Sequence, residues 1–316
     1  MADDQRILAR HYDLETFISS GPLALLGLLR RIRNSDVVVT WFGSVYSGFN
    51  TLLAHLAHKP SIIVLGGVDA SKHKSIGYGI WLSPWKVPFV RYAFRHADLL
   101  LPVDPSLAES AKRLAGYDGS NLHYLPTGYS PEEWPLGEGV RENVVLTVAK
   151  CDNVGRLRVK GVDVLLAAAR EMADVKFRVI GVVPRVLDAL RERPTANVEI
   201  LPPMARDRLA AEYGRAKVYC QPSFSEGLPN TLCEAMLCGC IPVGTAVGGI
   251  PTAIGEAGFL APRGDLKKLT GAIREALASP ADRGLAARAR IAAEFSVERR
   301  ERGLCAVIDS LVDWKS

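Results

Sequence analysis

The sequence lacks any run near the roughly 18 consecutive apolar residues of a membrane-spanning helix. Its longest candidate, 22–29, stops at Arg30 and Arg31. It lacks the charged-then-apolar layout of a signal peptide, because it opens Met-Ala-Asp-Asp-Gln-Arg. A soluble, cytoplasmic protein is expected. No long Lys/Arg tract occurs, and 39 basic against 34 acidic residues leave a net charge of only +5. A nucleic-acid partner is therefore not expected, while an anionic small substrate or an anionic membrane surface suits the charge equally well. Cysteine is sparse: Cys151, Cys220, Cys233, Cys238, Cys240 and Cys305 lie scattered among apolar neighbours. That excludes a secreted disulfide framework. Cys238 and Cys240 stand too close for a two-residue zinc knuckle and have no His nearby, so buried free thiols are expected there, not a metal. With 48% hydrophobic and 23% charged residues, disorder and low-complexity architectures are excluded as well.

What is present is strand–helix alternation. At roughly 100–200 residues per domain, 316 residues suggest two domains. Apolar, β-branched runs predict buried parallel strands over 36–41, 61–65, 98–101, 144–149, 176–180, 198–201, 218–221 and 241–244. Helical periodicity lies between them, over 22–33, 45–57, 84–95, 105–114, 161–172, 207–213 and 229–237. This order calls for an α/β fold with helices on both faces of parallel sheets. Pro126, Gly128, Pro131, Pro135, Gly137 and Gly139 give 125–141 the chemistry of a linker. The expected division is an acceptor-side domain over 1–128, a second domain over 129–295 and a helix over 296–316. That last helix carries Leu304, Val307, Ile308, Leu311 and Val312 on one face. A doubly wound domain opens with a strand and a glycine-rich turn. Here the chain opens with a helix over 3–10, then a candidate strand over 12–18, and the opening strand and its loop are read as missing.

Three loops can carry chemistry. In Ser223-Phe-Ser-Glu-Gly-Leu-Pro-Asn-Thr-Leu-Cys-Glu-Ala-Met, the strand ending at Gln221 runs into a loop, Pro229 suits a first helical position and Gly239 a helix stop. Asn230, Thr231 and Leu232 then offer backbone N–H groups to an anion such as phosphate. Glu226 and Glu234 beside them are poor phosphate ligands but good acceptors for sugar or ribose hydroxyls. Glu226 reads equally as a carboxylate favoured by the helix dipole, and Glu234 as a solvated helix residue. Gly248 and Gly249 allow backbone to approach a ligand. Arg156, Arg158 and Lys160 crowd the loop after the first strand of the second domain, facing the same crevice, where they suit a leaving diphosphate or simply solvent.

The Glu226-x₇-Glu234 spacing, set in Pro-Ser-x-x-Glu-Gly-Leu-Pro-Asn…Glu-Ala-Met…Gly-Cys-Ile-Pro-Val, resembles the retaining glycosyltransferases of family 4, which have the GT-B fold. Val148-Ala-Lys150 and Val159-Lys-Gly-Val-Asp163 resemble that family's basic phosphate-binding loop, and 205–218 its segment before the motif strand. The likeness is specific over about 125–295 and fainter before it. It implies two facing Rossmann-like domains, with a C-terminal helix crossing back to the first. It further implies that Glu226 touches sugar hydroxyls, that Gly227, Leu228, Pro229, Asn230 and Thr231 meet sugar and phosphate, and that Glu234 holds the ribose diol. Lys160 and one of Lys150, Arg156 and Arg158 would hold the diphosphate, with Met204 near the nucleobase. Asp69 is the first candidate to meet the acceptor hydroxyl and His73 the second.

Charge suggests the mechanism. Negative charge builds on the leaving diphosphate, so fixed cations and helix-end N–H groups aimed there carry the stabilisation. Front-face attack needs no covalent carboxylate. No metal and no cofactor are expected, the nucleotide-diphosphate sugar being the donor substrate. The acceptor is an unspecified hydroxyl. Trp81, Trp85, Phe89, Tyr92 and Phe94, interleaved with Lys86, Arg91 and Arg95, fit either core aromatics or a peripheral contact with an anionic membrane. A nucleotide-sugar epimerase or isomerase, or a non-catalytic nucleotide-sugar-binding module, are the alternatives.

Overall fold

Runs of apolar and β-branched residues become strands covered on both faces: all five residues of Ser61–Leu65 and all five of Ile241–Thr245 are buried. The computed structural model describes residues 2–17, 24–188 and 194–313. In chain order it has α1 (Ala2–Leu8), α2 (Ala24–Arg33), β1 (Val38–Trp41), α3 (Val45–Leu56), β2 (Ser61–Leu65), α4 (Val87–His96), β3 (Leu99–Pro102) and α5 (Pro105–Ala115). Then come β4 (Glu142–Cys151), α6 (Val154–Val159), α7 (Val162–Glu171), β5 (Lys176–Val182), α8 (Pro184–Asp188), β6 (Val198–Leu201), α9 (Arg206–Arg215) and β7 (Ala216–Gln221). The chain continues through α10 (Asn230–Leu237), β8 (Ile241–Thr245), α11 (Ile250–Ile254), β9 (Phe259–Ala261), α12 (Leu266–Ala278), α13 (Asp282–Glu294) and α14 (Val297–Asp313).

These elements form two compact units, one of Met1–Lys74, Tyr78–Gly128 and Val297–Ser316, the other of Ser75–Gly77 and Tyr129–Ser296. The first unit holds a parallel sheet in the order β1-β2-β3. Two of its helices start on side-chain caps: Ser44 and Ser47 form a reciprocal capping box on α3, and Asp104 caps α5 ahead of Pro105. Residues 12–17 form no strand, and Ile18 lies outside the described residues. Tyr12 there donates to Asp309 on α14 at 2.7 Å, so the segment is tied to a helix and not to a sheet edge. Pro22, Leu23 and Trp314, at the ends of expected helices, also lie outside the described residues.

The second unit's sheet is parallel throughout, in the order β6-β5-β4-β7-β8-β9. Counted within the unit this is 3-2-1-4-5-6, the doubly wound order whose direction reverses between its first and fourth strands. β4 and β7 flank that reversal, and ligands in such sheets bind beyond the carboxyl ends of the strands there. Strand β9 was not expected. It has three residues, of which only Ala261 is buried, so it leaves no apolar run to read.

The Pro/Gly-rich stretch is irregular, as its composition implies, but its second half is anchored on its own unit. Trp134 is buried beneath the Arg206 guanidinium, 4.6 Å from its ring centre, and the Trp134 carbonyl accepts from Arg288 at 2.8 Å. Of the aromatic run, Trp81 and Phe94 are core while Trp85 is 63% exposed beneath the Lys86 ammonium. No described helix is long and apolar enough to cross a membrane. Cys151, Cys220, Cys233, Cys238 and Cys240 are buried free thiols, and burial pushes Cys151 to about 11 and Cys240 to about 12.

Candidate active site

The loop after β4 is where sequence reading and structure part. The residues expected as an open basic loop wind into α6, because the Asn153 side chain accepts from the Arg156 N–H at 2.8 Å and caps a turn. Leu157 and Val159 of that turn are buried, while Arg156 and Arg158 point to solvent. Arg156 meets Asp152 at 3.5 Å. Lys160 ends the helix, and Gly161 turns the chain into α7 with φ +67°. Only glycine serves there: a Cβ would lie 1.9 Å from the Pro222 carbonyl oxygen in the loop after β7. Beside it the Phe224 N–H donates to the Val159 carbonyl at 2.8 Å. The two loops flanking the sheet reversal are thus pressed together at Gly161. Gly161→Ala should destabilise the fold by about 2–3 kcal/mol through left-handed strain and forced separation, read from urea denaturation.

That close approach sets Lys160 against Glu226. The ammonium donates to Glu226 Oε1 at 2.7 Å and Oε2 at 3.0 Å, with side-chain exposures of 32% and 8%. Glu226 Oε1 also accepts from Ser223 Oγ at 2.7 Å and Gln221 Nε2 at 3.0 Å. Lys150, Arg156 and Arg158 are exposed, and among the described contacts Lys160 is the cation that Glu226 holds.

Helix α10 begins one residue later than expected. Pro229, with φ −77° and ψ 112°, is the cap residue, and Asn230 opens the helix. Asn230 Oδ1 accepts from the Tyr129 hydroxyl at 2.8 Å. The Leu232 and Cys233 N–H groups donate to the Pro229 carbonyl at 3.2 and 3.3 Å, which leaves Asn230 and Thr231, not Leu232, to offer backbone N–H groups to an anion. Thr231 Oγ1 donates to Gln221 Oε1 at 3.2 Å. Gly227, Leu228 and Pro229 are buried, whereas Asn230 is exposed. One turn on, Glu234 accepts from Tyr213 at 3.2 Å. Burial, ahead of the charges of Glu234 and Glu226, raises the Tyr219 hydroxyl well above its ordinary value. Met204 is half-buried in the irregular stretch between β6 and α9.

Gly248 and Gly249 do permit a close approach, but to protein. A Cβ on Gly248 (φ +52°) would fall 2.1 Å from the Glu226 carbonyl oxygen, and the Gly249 N–H donates to the Gly227 carbonyl at 2.8 Å. The loop after β8 therefore braces the loop that carries Glu226.

Asp69 is corrected. Its carboxylate is fully buried and accepts from the Gly43 and Gly66 N–H groups at 3.0 and 3.1 Å and from Gly67 at 2.7 Å. It ties the loop after β1 to the loop after β2, so it has no face left for an acceptor hydroxyl. Burial pushes this carboxyl above its usual range against those three N–H groups. His73, half-buried, bridges Tyr78 in a small antiparallel turn. Sequence reading gave no role to Tyr219, Gln221 and Ser223. The signal was a polar residue, Gln221, closing the apolar run Val218-Tyr219-Cys220.

Residues 150–279 match the family described as glycosyl transferases group 1. A D-inositol 3-phosphate glycosyltransferase of Mycobacterium sp. (strain KMS) is 34% identical over 172 residues, 50% of this chain and 39% of the relative's own length. The chain thus spans well under half of that relative. Two solved structures share the fold across nearly all of this chain. Anabaena HepE in complex with UDP has a TM-score of 0.76 at 16% identity, over 97% of this chain and 89% of that one. Sucrose-phosphate synthase from Thermosynechococcus elongatus has 0.75 at 19% identity, over 94% and 80%. The fold is GT-B, and residues 150–279 are similar to the glycosyl transferases group 1 family.

Proposed function

We propose that the protein is a retaining, metal-independent glycosyltransferase of family 4 that moves a sugar from a nucleotide-diphosphate sugar to a hydroxyl acceptor. The observation that carries this is the Lys160–Glu226 pair at the sheet reversal, beside the opening turn of α10. One cation, one acid and a helix start stand together at the edge where doubly wound sheets take nucleotides. The mycobacterial relative's name supports glycosyl transfer, and the complexes of HepE with UDP and UDP-glucose support the donor class.

In this reading Lys160, joined by one of Lys150, Arg156 and Arg158, and the α10 N–H groups take the charge that grows on the departing diphosphate oxygen. Glu226 accepts from sugar hydroxyls, Glu234 from the ribose diol, and Met204 lies against the base. The bond from the anomeric carbon to the diphosphate breaks, a bond to the acceptor oxygen forms on the same face, and the acceptor's proton leaves on the diphosphate. Glu226 is held by three donors on one oxygen, which suits a fixed acceptor better than a nucleophile.

A thermal-shift screen tests the donor class. Ligand at 100 times its Kd adds about 2.7 kcal/mol, so a nucleoside diphosphate or its sugar should raise Tm by several degrees. No shift from UDP, GDP, ADP or their glucose and mannose forms would sink the reading. Release of diphosphate that requires an added hydroxyl acceptor then separates transfer from epimerisation or mere binding.

A further inference from the structure

Gln221 ends β7 fully buried, behind three apolar or aromatic residues, where a leucine would pack at no polar cost. Its amide is saturated. Nε2 donates to Ser223 Oγ at 2.8 Å and Glu226 Oε1 at 3.0 Å, while Oε1 accepts from the hydroxyls of Tyr219 at 2.9 Å and Thr231 at 3.2 Å. The orientation is dictated by chemistry, because an ionised carboxylate only accepts and the amide nitrogen must face Glu226. Ser223, equally buried, adds a second neutral donor to the same oxygen. Its own carbonyl is held by Thr245 Oγ1 at 2.6 Å from the neighbouring strand.

We infer that Gln221 is a positioning residue that sets the spacing between the sugar-contacting acid and the phosphate-facing helix start; this rests on the glycosyltransferase reading above. One planar amide spans the two. Its nitrogen fixes Glu226 through Oε1, and its oxygen fixes Thr231, the second residue of α10. Glu226 Oε2 is left with Lys160 alone among the described contacts, so it is the oxygen turned to a ligand hydroxyl. Lys160 can then engage a diphosphate without releasing the acid, since Ser223 and Gln221 keep their hold. Gln221 acts through Glu226 and Thr231 and touches no substrate itself.

The consequence is selective. Calorimetry with UDP and UDP-glucose, and the matching GDP and ADP pairs, measures the added affinity that the sugar brings. Gln221→Leu should leave nucleoside-diphosphate affinity within about threefold and weaken the sugar nucleotide roughly tenfold, as loss of a bond to a charged group implies. Glu226→Ala should do the same, and the double variant should lose no more than Glu226→Ala alone. A merely structural glutamine would weaken both ligands together and add its loss to that of Glu226→Ala. Either of those results, or a sugar nucleotide bound by Gln221→Leu within twofold of the unaltered protein, overturns the inference. If Gln221→Leu does not fold, Ser223→Ala removes one donor from the same oxygen and should give a smaller loss with the same selectivity. Failure of the unaltered protein to bind any of the six probes is a different result, and it fells the glycosyltransferase reading itself.

Discussion

Lys160→Ala and Glu226→Ala are each expected to lower the turnover of sugar transfer by about 10²–10³-fold while the protein stays folded. The magnitude is that of removing one fixed group aimed at developing charge. Lys160 would supply that charge to the diphosphate, and Glu226 would orient the sugar whose anomeric carbon reacts. Stability should change far less. Lys160 is 32% exposed, so its attraction to Glu226 is screened, and such pairs contribute about 1 kcal/mol or less. In Lys160→Ala the Glu226 carboxylate keeps Ser223 and Gln221 as donors, so it is not stranded. The double variant should be no slower than the slower single one, because the two side chains act on one bound donor. The measurement is initial rate against donor concentration, beside urea midpoints for each variant. Full activity in both single variants would remove the assigned roles.

Much of this was legible in the residues. Strand and helix alternation over 144–244 follows from apolar runs and glycine or proline punctuation, and the structure places β4, β5, β6, β7 and β8 over those runs. The chemistry of the Glu226 loop could be read because acid, proline and helix-starting residues lie within nine positions of one another. Other features depended on contacts far apart in sequence. Asp69, following a strand and two glycines, reads locally as a ligand group, yet Gly43, Gly66 and Gly67 turn their N–H groups inward upon it. By charge alone Arg156, Arg158 and Lys160 looked alike, and only the family resemblance set Lys160 apart. The Asn153 cap and the Gly161–Pro222 contact separate them, and neither shows in charge or periodicity. Gln221 escaped because a single polar residue at a strand end looks like the start of a loop, and its partners Tyr219, Ser223, Glu226 and Thr231 become neighbours only after β7 turns into α10.

The largest loss of stability is expected from Asp4→Ala, at about 3–5 kcal/mol. Arg300, on α14, is 1% exposed, and each of its three guanidinium nitrogens donates within the first unit. Nη2 and Nε donate to the two Asp4 oxygens at 2.6 and 3.1 Å, and Nη1 donates to the Leu125 carbonyl at 2.7 Å and the Pro126 carbonyl at 3.4 Å. Trp41 lies with its ring centre 5.8 Å from the guanidinium carbon. Taking such a charge from water costs several kcal/mol, which the forked pair with Asp4 and the two carbonyls offset. Without Asp4 the charge stays buried with neutral partners only. With a urea slope of about 2 kcal/mol/M, the midpoint for the first unit should fall by about 1.5–2.5 M. Arg300→Lys should also be unstable, because a point charge cannot fill a fork that meets a carboxylate and two carbonyls. The pairing Asp4→Leu with Arg300→Met distinguishes this account from a simple packing defect. Removing both charges together should recover most of the loss, since apolar replacements of a buried pair are often neutral or better. If the double variant is as unstable as Asp4→Ala, the buried charge is not the cause, and α1 and α14 are held by their apolar contacts instead.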